Sequence, residues 1–388
     1  MKFIYLIPEF PGQTHILFWR EIEELRARGH DVEIVSTRRP ASTCPHTFAS
    51  EPCTYLWPYD AIDLLDPLRH PTILARQLRL IARLPEGGFR ERLAAAALIP
   101  ASWKLARLIR ERGIDFAHGH SFANTGYILR LAQEISPFRY GLVLHGAIEN
   151  YGHNHAFKLS RADLAAGVNA LTTEEVRELA PPGEVDTLPC GVPLDVFGYV
   201  ERDFTGRMRL LTVARLAEVK GIQFVIQALG RLRDDHDFEY VVIGQGEYRD
   251  ALAQCAIEAG IADRVRFAGA LGQDDVAAMM GESHLAVLAS HGTFETTAIF
   301  VREAMATGLP AVMSDIGDAR SMIRDGIEGF VTPQCDVAAL SERIHRCLAD
   351  RQALQQMSIA AHRKARAEYS AAIGPERLLA HVTSRTAG

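Results

Sequence analysis

Two glutamates, Glu295 and Glu303, stand eight positions apart and open the chemical reading of the chain. Between them run Thr296, Thr297, Ala298 and Ile299, and a helix is predicted to begin there and to end near Gly308. A helix N-terminus leaves N–H groups unpaired and carries the positive end of the dipole, so residues 296–299 suit a diphosphate. Glu303, about one turn inside the helix, can accept two hydrogen bonds from a ribose diol. Glu295, ahead of the helix, can accept from sugar hydroxyls. Taken alone, the pair reads equally as a helix-start acid and a carboxylate on a solvated face.

The elements that would hold these groups follow from apolar patterning. Phe3–Ile7 is a short apolar run, expected as a buried strand. A loop with Pro8, Pro11 and Gly12 follows, and a glycine there lets backbone N–H groups come close to a phosphate, or simply makes a turn. Helical spacing of Ile16, Phe18, Trp19, Ile22 and Leu25 and a strand at Val32–Val35 complete a parallel β/α unit. Further strands are expected at Ile114–Ala117, Gly141–Leu144 and Val168–Leu171, with a helix over 125–133. The periodicity lapses around 196–206, where a linker is expected. A second series then carries strands at Leu210–Val213, Tyr240–Ile243, Val265–Phe267, Leu285–Leu288 and Ala311–Met313. The reading is α/β: two Rossmann-like β/α/β domains, 1–196 and 197–370, facing across a cleft. Residues 371–388 form a last helix expected to cross back to the first domain.

Composition narrows the classes. The 388 residues suit two domains, and the net charge of −6 supplies no global field for nucleic acid. Six cysteines form no CxxC pair, which points to free thiols in a reducing compartment. Cys44, His46 and Cys53 lack a fourth ligand at metal spacing, so no metal is expected. The apolar start breaks at Pro8-Glu9, and no run of about 18 apolar residues exists. The expectation is a cytoplasmic protein. Residues 67–112 stand out with ten Arg and Lys against three glutamates, interleaved with leucines. Two readings stay open: packed helices with solvated arginines, and peripheral contact with anionic lipid on the inner membrane face. Gly244-Gln245-Gly246 lacks a full GxGxxG, and neither a Walker A run nor a GxSxG elbow is present.

Glu295-x₇-Glu303 followed by Ala304-Met305-Ala306-Thr307-Gly308-Leu309-Pro310 resembles the signature of the family 4 retaining glycosyltransferases, which have the GT-B fold. Val213–Gly221 is similar to that family's donor-phosphate segment, and Leu188–Phe197 to its interdomain loop. Ile243-Gly244-Gln245-Gly246-Glu247 and Val265–Gly269, with Phe267, are similar to its nucleotide-domain loops. The resemblance is strongest over about 185–332. It implies that Arg215 and Lys220 bind the leaving diphosphate, Arg as a fork and Lys as a point charge, so that no metal is needed there. It also implies that His145, after a strand and before Gly146, lies near the reacting sugar. Where the family has an Asp shortly after, this chain has Glu149, and where it often has a glycine pair, this chain has Gly12-Gln13. His118 and His120 are expected at the cleft, in acceptor contact or loop packing. The implied activity is retaining hexosyl transfer from a nucleotide sugar, UDP first and GDP second, without a cofactor. The acceptor would be a glycan, a lipid-linked glycan or a small molecule, and the pathway cell-surface polysaccharide assembly. The alternatives are a nucleotide-sugar epimerase, a sugar phosphorylase, or a non-catalytic nucleotide-sugar-binding scaffold.

Overall fold

Consecutive apolar residues become parallel strands covered on both faces, since such a strand has no solvent side to keep polar. The computed structural model describes residues 1–12, 15–40, 47–179, 181–292 and 298–384. It divides into two units, Met1–Gly191 with Ala372–Gly388, and Val192–Ala371.

The first unit holds β1 (Lys2–Glu9), β2 (Asp31–Arg38), β3 (Cys53–Tyr55), β4 (Phe116–Gly119), β5 (Tyr140–Leu144), β6 (Leu164–Gly167) and β7 (Glu184–Thr187). They form one sheet of order β3-β2-β1-β4-β5-β6-β7, parallel throughout. The connections carry α1 (Ile16–Ala27), α2 (Ala61–Arg69), α3 (Pro71–Ala82), α4 (Gly88–Ala97), α5 (Ile99–Arg112), α6 (Asn124–Ala132), α7 (His155–Leu159) and α8 (Ala170–Glu178). The strand expected at Ile114 begins at Phe116. The strand expected at Val168–Leu171 does not form. β6 ends at Gly167, and the Asn169 side chain accepts a hydrogen bond from the Thr172 N–H at 2.9 Å. The Asn169 N–H in turn donates to Thr172 Oγ1 at 3.2 Å, a reciprocal cap that starts α8 one residue on.

The second unit holds β8 (Met208–Val213), β9 (Phe238–Ile243), β10 (Val265–Gly269), β11 (Leu285–Leu288), β12 (Ala311–Ser314) and β13 (Gly329–Thr332), ordered β10-β9-β8-β11-β12-β13 and again parallel. Its helices are α9 (Ile222–Gly230), α10 (Arg249–Glu258), α11 (Gln273–Gly281), α12 (Ile299–Ala306), α13 (Ala319–Met322), α14 (Val337–Ala349) and α15 (Arg351–Glu368). Alternate strand residues fill two cores: Leu210, Tyr240, Val287 and Val312 on one face, Leu211, Val241, Leu288 and Met313 on the other. Each such side chain contributes about 1.5–3 kcal/mol on burial.

The lapse in periodicity at 196–206 marks a tethered segment of this unit rather than a free linker. Val192 N–H already donates to Tyr369 O at 2.7 Å. The buried Arg202 donates to the carbonyls of Ser283 at 2.8 Å and Thr307 at 2.6 Å. The last helix, α16 (Ile373–Ser384), groups with the first unit, where Arg377 donates to Thr187 O at 2.8 Å and Arg139 donates to Val382 O at 2.7 Å.

The basic segment 67–112 is spread over α2–α5. Much of its charge is answered by acids outside the segment. Lys104 pairs with Asp60 at 3.3 Å, Arg107 with the fully buried Asp63, Arg76 with Glu134 at 3.2 Å, and Arg112 with Glu33. Neither Arg79, Arg83 nor Arg90 pairs with another described residue, and all three are exposed. Eight of the fifteen exposed large apolar side chains among the described residues fall between Trp57 and Leu93, including Leu68, Phe89 and Leu93. Packed helices with solvated arginines are therefore an incomplete description of this surface.

Candidate functional site

A parallel sheet binds ligands beyond the carboxyl ends of its strands, at the point where strand order reverses. In the second sheet the chain runs outward from β8 through β9 and β10, then returns to add β11, β12 and β13 on the other side. The reversal lies between β8 and β11. In the first sheet it lies between β1 and β4.

The loop after β8 carries Arg215 and Lys220. The Arg215 side chain is exposed and makes no hydrogen bond or ion pair with another described residue, while Lys220 is half-buried. Gly221, at the start of α9, has φ +63°, and a Cβ there would lie 1.8 Å from Ala289 O, just beyond β11. His291 N–H donates to Val219 O at 2.9 Å, fastening the two loops of the reversal together. Gly244 and Gly246 follow β9 for a similar reason. Their Cβ atoms would meet Ala214 O at 1.8 Å and Leu216 O at 2.1 Å, and Leu216 N–H donates to Gln245 O at 2.9 Å. These two glycines let one loop lie directly on another, which by itself brings no phosphate to them. Phe267 lies on β10 with one ring face covered by the Arg249 guanidinium at 3.9 Å. Nothing in the sequence alone assigned Arg249 a role.

Beyond β11, Glu295, Thr296 and Thr297 lie outside the described residues. The helix expected between the glutamates is α12, which starts at Ile299 with the buried Ala298 as its N-cap residue. Glu303 is 8% exposed, so the reading of a solvated face is overturned. Its neighbour Arg302 is buried against Asp318 at 2.8 Å and lies over the Tyr369 ring.

In the first unit, Gly12 packs beneath the His15 ring, whose Cε1 would lie 2.5 Å from an added Cβ. Gln13 and Thr14 lie outside the described residues. His145 follows β5. Its Nε2 lies 3.0 Å from His120 Nδ1, and its Nδ1 lies 3.8 Å from Cys190 Sγ. Burial pushes the imidazole down to about 4, so it is neutral at pH 7. Glu149 is exposed. His118 and His120 are 0% and 2% exposed, which removes direct acceptor contact and leaves packing. They sit against Tyr5, with ring centroids at 5.1 and 4.9 Å. Glu21 of α1 faces both, with Oε1 at 3.4 Å from His118 Nε2 and Oε2 at 3.9 Å from His120 Nε2. Glu21 also accepts the Tyr5 hydroxyl at 2.7 Å. Sequence reasoning missed this group, because Glu21 lies about a hundred residues from the histidines and nothing local links them. Its ligand atoms lie within 4.8 Å of one another, the one such grouping among the described residues. No helix among them is long and apolar enough to cross a membrane.

Both parts of the chain match known families. Residues 17–196 match the model described as Glycosyltransferase Family 4, and residues 201–364 match Glycosyl transferases group 1. The amylovoran biosynthesis glycosyltransferase AmsK of Erwinia amylovora is 24% identical, with all of both chains covered. The glycogen synthase of Mycobacterium tuberculosis is 27% identical, covering 89% of this chain and 84% of its own. Among solved structures, Anabaena HepE in complex with UDP superposes with a TM-score of 0.74 at 15% identity, covering 99% of this chain and all of its own. Two parallel sheets flanked by helices, a superposition on Anabaena HepE over 99% of the chain, and a family match in each part lead to one conclusion: the chain belongs to the family 4 glycosyltransferases of GT-B fold.

Proposed function

We propose that the chain transfers a hexosyl group from a nucleoside diphosphate sugar with retention of configuration, and that the donor's diphosphate binds at the strand-order reversal of the second sheet. The observation that carries this reading is the pair Arg215 and Lys220 after β8, in a loop fastened to Ala289 and His291 just beyond β11. The acceptor oxygen bonds to the anomeric carbon on the face from which the diphosphate leaves. The C–O bond to the diphosphate breaks, and the acceptor proton passes to the departing phosphate oxygen. Charge builds on that leaving group, where Arg215 and Lys220 supply fixed positive charge without a metal. Glu303 holds the ribose diol, Glu295 accepts from sugar hydroxyls, and neutral His145 lies near the sugar. UDP is the first choice of nucleotide, supported by the UDP and UDP-glucose complexes of Anabaena HepE, and GDP the second. The names of AmsK and of the colanic acid glycosyltransferase WcaL support an acceptor in polysaccharide assembly. The test is single-turnover transfer from UDP-glucose, with NMR of the product's anomeric configuration. An inverted product would overturn the retaining assignment, and nucleotide-sugar turnover without acceptor would favour an epimerase.

Peripheral membrane contact belongs to the same proposal. The outward face of α2–α4 combines exposed Leu68, Leu78, Phe89 and Leu93 with the unanswered Arg79, Arg83 and Arg90. Apolar bulk among arginines suits an anionic lipid surface. A second copy docked face to face would instead set these arginines against their own like charge. Flotation with phosphatidylglycerol vesicles, and none with phosphatidylcholine vesicles, is the expected result.

A further inference from the structure

We infer that Glu21, His118 and His120 form a binding site for one divalent transition-metal ion, zinc by the chemistry of its donors, beneath the strand-order reversal of the first sheet. The geometry comes first. One atom of each residue lies within 4.8 Å of the others, and the Glu21 oxygens stand 3.4 and 3.9 Å from the two Nε2 atoms. Zinc bonds of about 2.0–2.2 Å in a tetrahedron put neighbouring donors about 3.3–3.6 Å apart. The Glu21–His118 separation already fits, while the widest spacing the group spans, up to 4.8 Å, must contract by up to about 1.2–1.5 Å to close around the ion.

The second observation is unmet hydrogen bonding. His118 is fully buried and His120 is 2% exposed, yet neither Nε2 atom has a hydrogen-bond partner. A buried polar atom left in that state forfeits its hydration without recovering a hydrogen bond. A cation between the two imidazoles and the carboxylate meets both nitrogens at once. Two imidazoles and one carboxylate are a zinc-type donor set, whereas magnesium and calcium select oxygen donors.

The surroundings orient two of the three donors. His120 Nδ1 lies 3.0 Å from His145 Nε2, and the Tyr5 hydroxyl donates to Glu21 at 2.7 Å. Such outer partners fix the ring and carboxylate that hold a metal. His118 has no partner at Nδ1 and is held by ring packing alone, against Tyr5 and Phe116. With a metal on Nε2, His120 carries its proton on Nδ1 and donates to His145 Nε2. His145 then keeps its own proton on Nδ1, toward Cys190 Sγ at 3.8 Å. This last step bears on catalysis only if the role proposed for His145 holds; the metal site itself does not depend on it. The donor residues are also distinct from Arg215 and Lys220, so a bound zinc in the first unit and metal-free diphosphate binding in the second are compatible.

The experiment uses tag-free full-length chain stripped with EDTA, re-exposed to Zn²⁺ or Co²⁺, and desalted. About one zinc per chain by mass spectrometry of the elements is expected, with visible Co²⁺ absorption of a low-coordinate site. Glu21→Gln and His120→Gln should each weaken zinc binding by more than about tenfold, the lower end of what losing even an outer partner costs. His236 and His345, 2.8 Å apart on the surface of the second unit, are the control pair, and His345→Ala should leave binding unchanged. Less than about a tenth of an equivalent retained by the unaltered chain would overturn the site. So would loss of zinc in His345→Ala alone, or full retention in both site variants. The Co²⁺ spectrum of the unaltered chain decides the matter even where a variant fails to fold.

Discussion

At the reversal of the second sheet, the Arg215 side chain is exposed and makes no hydrogen bond or ion pair with another described residue. At that of the first sheet, His118 and His120 are buried among Tyr5 and Glu21. Both sheets follow one β/α plan, and both reverse order after their first strand and its neighbours. What differs is where the polar groups point. The second unit offers fixed positive charge outward, the arrangement a charged leaving group needs. The first unit turns His118, His120 and His145 inward, and burial holds the His145 imidazole down at about 4, so it is neutral at pH 7. One plan thus carries an exposed arginine at one reversal and buried imidazoles at the other.

The comparison breaks most sharply through charge. Lys220→Ala should lower turnover by about a hundredfold, about 2.7 kcal/mol of barrier, with Arg215→Ala and Glu295→Ala each costing at least about tenfold. A larger loss for His145→Ala than for Lys220→Ala, by steady-state kinetics on the same acceptor, would reverse the assignment of roles. Next in size is backbone packing. Gly221→Ala places a Cβ 1.8 Å from Ala289 O at positive φ, a strain of about 1–3 kcal/mol, and melting should fall by several degrees, roughly 2–12 °C. An unchanged melting temperature by calorimetry would mean that the two loops are not fastened as described.

Much of this contrast is visible in the amino-acid order, but unevenly. Leu210–Val213 and Phe3–Ile7 read as strands because they are unbroken apolar runs. β6 did not, because Leu164-Ala165-Ala166-Gly167 is small and carries little β preference, so the expected strand slid to Val168. The glycines at 244 and 246 were visible as glycines, yet their reason, a neighbouring loop's carbonyls, is tertiary. The local charge of 67–112 misled because Asp60, Asp63 and Asp66 stand just outside it and answer Lys104 and Arg107. Burial of His118 and His120 needed the sheet itself, which brings β4 beside β1.

Smaller effects sharpen the first unit's side. Leu68→Asp with Phe89→Asp should weaken binding to anionic vesicles by about tenfold without altering melting, since both side chains are exposed. Equal binding by the double variant in sedimentation would remove the membrane surface. Lys158 is buried at Tyr127, and burial pushes its ammonium down to about 8. The unfolded chain then binds the proton more readily between about pH 8 and 10.5, so the wild type gains stability as pH rises through that window. Lys158→Met lacks this gain. It should be more stable than wild type by about 1 kcal/mol below pH 8, after loss of the cation–π contact and of the hydrogen bond to Tyr151 O is set against it, and the order should reverse before pH 10.5, since the wild type gains about 3 kcal/mol across the window. A gap that does not change with pH in urea titrations would contradict the buried charge.

The central claim is that a nucleoside diphosphate binds at the second unit's fixed charges. Its most direct test is a thermal-shift series with UDP, GDP and ADP, with and without EDTA, on the wild type and on Arg215→Ala/Lys220→Ala. The account predicts that one diphosphate at about a hundred times its Kd stabilises the wild type by about 2.7 kcal/mol, untouched by EDTA. It also predicts that the double variant loses this shift. A shift of equal size in the double variant would contradict it.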